Sequence, residues 1–359
     1  MNVNGGTRPG IADVARAAGV SKAAVSFAFN KPERLSAETA ARIRAVAAEL
    51  GYRPHPVARM LTARQTATIG ILSPQALGSV FANPFFSLFA EGVASVTEER
   101  GFGLLLISPL HGSLAGALER ATADGIVALG LDDRHPEVEA IRRAGLPVVI
   151  VDAPAWPGHG SVGVDDVGGA RAAAAHLLAL GHRTILVVSV EPPAYGDPRA
   201  ESVAEQRLRG YREAFAAAGT DLPDAAVTVA PATFEGGEAA FLRAWSAGMR
   251  PTAVLAMSDA AAAGVVGAAR SLNLRVPADL SVVGYDDLPL TRFTDPPLTT
   301  VHQPVRRKGE EAARILLAAL AEPAGTDAAV HRVLETRLVV RRSTAAPPGG
   351  RRLEVVATA

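Results

Sequence analysis

From residue 67 onward, short continuous apolar runs alternate with alanine-rich stretches of helical periodicity, and no other feature restricts the fold of this chain so tightly. The runs at 68–72, 104–107, 125–129, 148–151, 185–190, 253–257 and 281–285 are β-branched or leucine-rich without polar alternation. Strands buried on both faces read this way. Between them, 84–100, 166–180, 205–218, 260–272 and 305–321 read as helices. Such alternation predicts parallel sheets wound by helices on both faces, an α/β body.

The first 53 residues follow another rule. Ile11, Val14, Ala15 and Ala18 recur at helical spacing, Gly19 turns the chain, and Ser21 is a good N-cap for a second helix running to about Asn30. Val20, Val25 and Ala28 can pack back on the first helix. A third helix starts after the cap residue Ser36, carries Ile43, Val46, Ala47 and Leu50 on one stripe, and ends at Gly51. This predicts an N-terminal all-α helix-turn-helix head whose second helix presents Lys22, Ala23, Ser26 and Phe27 outward. Those positions would meet base edges in a major groove, with Ser21 and Asn30 at the two ends of the same helix. Lys22 could donate to guanine or phosphate, Ser26 to either, and Phe27 could press on a thymine methyl. The competing reading of Phe27 is packing between helices.

Residues 54–64 begin with Pro54 and Pro56 and carry Val57, Ala58 and Leu61 on one small apolar edge, with Arg59 beside them. Pro56 suits a first helical position, and a helix this short is unstable alone in water, so the segment is expected to order only on DNA. The alternative is a plain linker.

The stretches AGVSKAAVSFAFN, LSAETAARIRAVAAELGYRPHPVARML and TIGIL strongly resemble the lactose-repressor (LacI/GalR) family of transcription factors, and the resemblance continues almost to the C-terminus. It implies a head at 1–53, a hinge helix and linker at 54–66, and a two-lobed effector-binding and dimerisation domain at 67–342. That domain is similar to periplasmic sugar-binding proteins, with the lobes exchanging near 164, 300 and 331. Residues 343–359 read as a loose tail without a leucine heptad for tetramerisation. By resemblance, two hinge helices of a homodimer meet in the minor groove of a palindromic operator, where Leu61 wedges into the central step and kinks the duplex. Ala58 lies on the groove floor and Arg59 near phosphate. The chain departs from the family at Phe27, where an arginine is frequent, and at Gly10, where a threonine caps the first helix.

The resemblance maps effector contacts onto Phe85, Phe86, Asp152, Arg207, Ser258 and Asp286, at strand ends or a helix start where open α/β sheets bind ligands. Arg207 offers a fork of donors, Asp152 and Asp286 accept from neighbouring hydroxyls, and an aromatic face covers a ring. A carbohydrate or a nucleoside fits that chemistry. Ser258 stands where many sugar-binding relatives have asparagine. Each residue also has a structural alternative: Asp286 as a turn cap, Arg207 paired with an acidic neighbour, Phe85 and Phe86 as core. Trp156 and Tyr195 sit in loops and are expected to lie away from the cleft mouth.

Charge supports the division. Of 36 basic and 36 acidic residues, ten and four fall in residues 1–65, so a head of +6 precedes a body of −6. A basic head suits the phosphate backbone. There is no cysteine, so disulfides and thiolate chemistry are excluded. No apolar run approaches ~20 residues and the start has no signal-peptide core, which points to the cytoplasm rather than a membrane. The G-x-G-x-x-G match at 158–163 follows a proline-rich loop and leads into strand-like residues, against a dinucleotide site, and His176 and His182 are not on one helix face. No cofactor, metal or catalytic function is expected. The rival to an effector-controlled repressor is a small-molecule binding protein of the periplasmic sugar-receptor type.

Overall fold

The computed structural model describes residues 9–53, 65–191, 202–321 and 329–349, in two units divided between Thr66 and Ala67. Val57, Ala58, Arg59, Leu61 and Tyr195 lie outside the described residues.

The first unit holds helices α1 (Ile11–Ala17), α2 (Lys22–Asn30) and α3 (Ala37–Glu49). Gly10 has no side chain to cap α1, so the Asp13 carboxylate reaches back to the Gly10 N–H at 2.9 Å. Ser21 and Ser36 cap α2 and α3 by accepting from Ala24 N–H and Thr39 N–H. Val14, Ala15, Ala18, Val25, Ala28, Ile43 and Ala47 close one small core. Leu50 departs from the expected stripe and is exposed, because the helix has ended beneath it and Gly51 turns the chain at φ +67°.

The second unit contains two six-stranded sheets. The first has the order β11-β5-β4-β3-β1-β2, built from β1 (Thr68–Leu72), β2 (Gly103–Ile107), β3 (Gly125–Leu129), β4 (Val148–Val151), β5 (Gly160–Val164) and β11 (His331–Leu334), all parallel. The second has the order β12-β10-β9-β8-β6-β7, from β6 (Ile185–Val190), β7 (Val227–Ala230), β8 (Ala253–Ala256), β9 (Ser281–Asp286), β10 (Thr299–His302) and β12 (Arg337–Val339). Only β12 runs antiparallel to its neighbour.

Along β3, Ile126 and Ala128 enter one apolar cluster while Val127 and Leu129 enter another on the opposite face. That is why the strand reads as an unbroken apolar run. Helices α4 (Leu77–Ala82), α5 (Pro84–Thr97), α6 (Leu114–Arg120), α7 (Val138–Arg143) and α12 (Val305–Ala321) belong to the first lobe. The second lobe carries α8 (Asp166–Ala179), α9 (Val203–Ala217), α10 (Phe234–Ser246) and α11 (Asp259–Ser271). A Cβ on Gly92 in α5 would stand 2.0 Å from the Arg306 carbonyl oxygen, so only glycine admits this approach of α5 to α12.

The chain changes lobe after β5, returns between β10 and α12, and crosses again between β11 and β12. The last two crossings lie a few residues beyond the expected 300 and 331, because β10 and β11 each complete a sheet before the chain leaves it. Gly158 forms a turn and Gly160 opens β5 rather than a helix, so the glycine run is a turn-to-strand junction. Trp156 is buried in the first-lobe core and donates to the Leu131 carbonyl at 3.0 Å.

The expected loose tail starts too early. Ser343 is fully buried, donating to the Val282 carbonyl and accepting from Thr299 N–H. Thr344 bonds His176, and the Ala345 carbonyl meets His182 and Ser281. Residues 343–345 are therefore stitched to the base of the second lobe, a role their small polar side chains do not advertise.

Candidate functional site

On α2, Ser21, Lys22 and Ala23 are exposed and Ser26 and Phe27 are half-buried. Phe27 is outside the buried core of the head; Phe29, two positions on, packs against that core and meets Tyr52 edge-on at 5.9 Å. The Arg34 guanidinium lies 5.4 Å from the Phe27 ring centroid and holds its outward setting. Asn30 donates to Ser26 Oγ at 3.3 Å, and its Oδ1 is enclosed without a hydrogen bond. It closes the helix end more than it reaches outward.

In the second unit a polar network joins the C-terminal ends of β4 and β9, one strand from each sheet. On the first-lobe side, Asp152 follows β4 with φ +55°. Both its oxygens accept from Lys308 Nζ, at 2.7 and 2.8 Å, and Lys308 also donates to Gln303 Oε1 at 2.5 Å. Gln303 lies in the crossover between β10 and α12 and donates through Nε2 to Asp286 Oδ1 at 2.5 Å. A continuous chain of hydrogen bonds therefore runs from Asp152 on the first lobe to Asp286 at the end of β9 on the second.

On the second-lobe side Arg207 projects from α9 and is buried, with 7% of its side chain exposed. Its Nε donates to Asp166 Oδ1 at 2.7 Å, Nη1 to the Met257 carbonyl at 2.5 Å, and its guanidinium lies 3.6 Å from the Tyr285 ring centroid. Asp166 is the first residue of α8, where a negative charge is favoured by the positive end of the helix dipole, while Asp165 before it caps the helix by accepting from Gly168 N–H.

Electrostatics follow enclosure. Burial pushes the Asp152 carboxyl up, and Lys308 opposes the rise. Burial pushes the Asp286 carboxyl up to about 6 against the pull of Arg207 and Gln303. Burial alone would lower the Arg207 guanidinium, but Asp166, Tyr285 and Asp286 together raise it, so it stays charged. Asp152, Asp286 and Asp287 all have φ in the left-handed region, between +55° and +116°. Non-glycine residues hold such backbone where the surroundings impose it, which binding sites frequently do.

Of the residues expected in the cleft, Asp152, Arg207 and Asp286 converge. Phe85 joins them, its ring centroid 5.3 Å from Lys308 Nζ. Phe86 points into the first-lobe core. Ser258 is the N-cap of α11, its Oγ accepting from Ala261 N–H at 3.1 Å, which commits one side of the hydroxyl to the fold.

Two family descriptions match the chain: "Bacterial regulatory proteins, lacI family" over residues 10–55, and "Periplasmic binding protein-like domain" over residues 174–344. The HTH-type transcriptional regulator CelR of Thermobifida fusca is 33% identical over 94% of this chain and 98% of its own length. The chain belongs to the bacterial lacI family of regulatory proteins. Its fold is that of the Lac repressor dimer solved with operator and the anti-inducer ONPF, at TM-score 0.77 and 27% identity over 95% of this chain and all of that one. A solved CelR–cellobiose complex is also similar, at TM-score 0.67 and 32% identity over 94% of this chain and 100% of that one. As a lacI-family protein it is a DNA-binding transcriptional regulator, and these likenesses favour that reading over a transport-type receptor.

Sequence reasoning on this lacI-family regulator missed Lys308, Gln303 and Asp166. Lys308 left a visible signal. It falls on the same helical stripe as Val305, Gly309, Ala312, Ala313 and Leu316, so a charge is drawn onto the buried face of α12. A lysine there needs a carboxylate partner inside the protein.

Proposed function

We propose that the protein is a repressor that binds a palindromic operator as a homodimer and is controlled by a small, sugar-like effector held between its lobes. The observation that carries the reading is the coexistence, in one chain, of a capped helix-turn-helix with Lys22, Ala23, Ser26 and Phe27 outward and a cleft in which Arg207, Asp166, Asp152 and Asp286 converge beside an aromatic ring. The CelR–cellobiose and Lac repressor–operator structures support carrying both partners to this chain.

Forked donors and paired carboxylate acceptors suit vicinal hydroxyls, and Phe85 suits the C–H face of a sugar ring. The cleft is arranged for binding rather than turnover. Residues 54–66, with Val57, Ala58, Arg59 and Leu61, serve as the hinge that enters the minor groove. Exposed apolar side chains support a second copy: Phe81 on α4 is 71% exposed and Phe293 on the second lobe 85%. Effector binding acts by favouring one lobe arrangement over the other, and operator affinity follows. The site of action is the cytoplasm.

Fluorescence polarisation of a palindromic probe with a central CG step tests this. Steeply salt-dependent binding, much tighter than to random DNA and shifted by cellobiose or another sugar, is expected. Equal affinity for random DNA would overturn it. Leu61→Ala is expected to weaken specific binding far more than non-specific binding.

A further inference from the structure

Both Lys308 and Arg207 are paired with a carboxylate before any effector arrives. Lys308 is fully buried, and an ammonium has three N–H donors. Asp152 Oδ1, Asp152 Oδ2 and Gln303 Oε1 lie 2.7, 2.8 and 2.5 Å from its Nζ, one acceptor for each donor. Contact with Lys308 turns the Gln303 carboxamide so that its nitrogen faces Asp286. Across the cleft, Asp166 neutralises Arg207 at 2.7 Å. Among the described residues, two cations, Lys308 and Arg207, thus stand among three carboxylates, Asp152, Asp166 and Asp286, and the surplus is negative.

We propose that the Lys308–Asp152 pair fixes the charge class of the effector, admitting uncharged polyhydroxylated ligands and excluding sugar acids and sugar phosphates of the same shape. The inference rests on the cleft being the effector site and deepens that reading. A neutral sugar needs only hydrogen bonds, which Arg207 donates through positions beyond the two already engaged and which the carboxylates accept through spare lone pairs. An anionic sugar must shed its water beside Asp286 and Asp166 and, among the described residues of the cleft, meets no cation that lacks a counter-charge. Lys308 is a positioning residue here. It acts by occupying Asp152 and orienting Gln303.

The test uses the full chain, with calorimetry and thermal shift against cellobiose, D-glucose and D-ribose beside cellobionate, D-gluconate, D-ribonate and glucose 6-phosphate. A neutral sugar is expected to bind and its anionic counterpart to fail. Asp152→Asn keeps the shape but strips Lys308 of its counter-charge. It is expected to raise affinity for the matching aldonate roughly 10- to 100-fold, the worth of one hydrogen bond to a charged group. Asp152→Asn/Lys308→Met, lacking both charges, is expected to show no such gain. A purely structural pair would lose stability in Asp152→Asn, recover most of it in the double variant, and gain aldonate binding in neither.

Tighter binding of an aldonate or sugar phosphate by the native chain would overturn the inference and leave the sugar-effector reading standing. No gain of aldonate binding in folded Asp152→Asn would do the same. Should that variant not fold, the native comparison of sugar with aldonate decides alone. No binding anywhere in the panel would overturn both.

Discussion

The two buried ion pairs, one on each lobe, use the same kind of partners to different ends. On the first lobe, Lys308 brings a compact ammonium to Asp152 and Gln303 and has an acceptor for every donor. On the second, Arg207 brings a planar fork with five donors, of which bonds to Asp166 and the Met257 carbonyl engage two groups, while Tyr285 stacks on its face. The lysine is consumed by the framework; the arginine is held in place with capacity to spare. Enclosure alone therefore does not say whether a charged residue supports a site or serves it. Counting donors against acceptors does.

The largest expected effect breaks the lysine side. Lys308→Met leaves Asp152 enclosed without its cation, and removing one partner of a buried pair typically lowers stability by about 3–5 kcal/mol. Urea denaturation should show that loss, and Asp152→Asn/Lys308→Met should recover most of it because no stranded charge remains. A single variant within about 1 kcal/mol of the native chain would refute the framework role.

Arg207→Lys probes the other side. The charge stays near Asp166, but the fork and the stacked plane are lost, so effector affinity should fall roughly 10- to 100-fold while stability changes less than in Lys308→Met. Calorimetry with whichever sugar binds the native chain reads the first quantity and urea denaturation the second. The opposite ranking, with stability hit hardest by Arg207→Lys and affinity by Lys308→Met, would invert the comparison.

The link between the two pairs is Asp286, whose carboxyl burial raises to about 6. A carboxyl that stands above its unfolded value of ~3.9 holds its proton more tightly in the folded state. Its contribution to stability is complete below about pH 4 and is lost as the pH rises to about 6. Asp259, also raised chiefly by burial and then by Asp286, adds a shift of the same sign. Relative to the native chain, Asp286→Asn should gain stability on the order of 2 kcal/mol between pH 4 and pH 7. Melting temperatures of both proteins across that range check the sign; a flat difference would show that Asp286 titrates normally, and a reversed one that its carboxyl is lowered.

Much of this was legible in the sequence, and the boundary has a physical cause. Two-faced burial makes strands such as β3 and β4 continuous apolar runs, and Ser21 and Ser36 cap α2 and α3 through purely local bonds, so both could be read in one dimension. The convergence of Asp152, Arg207 and Asp286 was anticipated through family resemblance rather than spacing. What escaped were pairings over long separations: Lys308 with Asp152 lies 156 residues apart and Ser161 with His331 lies 170. Short helices such as α7 and the three-residue strand β12 lack the length to be singled out. The early ending assigned to the body failed for a related reason, since Ser343 and Thr344 are held by partners 44 to 168 positions away.

The smallest effect separates a cap from a contact within the second lobe. Ser258 lies next to Met257, whose carbonyl Arg207 engages, so proximity alone would place it in the effector site. Its Oγ instead accepts from Ala261 N–H at the start of α11, in the extended backbone conformation that N-caps adopt. Replacing a serine cap by alanine costs about 1 kcal/mol, because one helix N–H loses its acceptor. Ser258→Ala should therefore lower stability by about that amount and leave effector affinity within roughly threefold, less than the loss of a single good hydrogen bond. Ser258→Asn sharpens the result, since asparagine caps as well as serine but adds an amide that can donate and accept. If capping is the whole role, Asn restores stability and moves affinity no further than Ala does. If instead Ala weakens sugar binding tenfold while stability holds, Ser258 belongs with Arg207 among the groups that grip the ligand, and the second lobe divides its polar residues differently from the first.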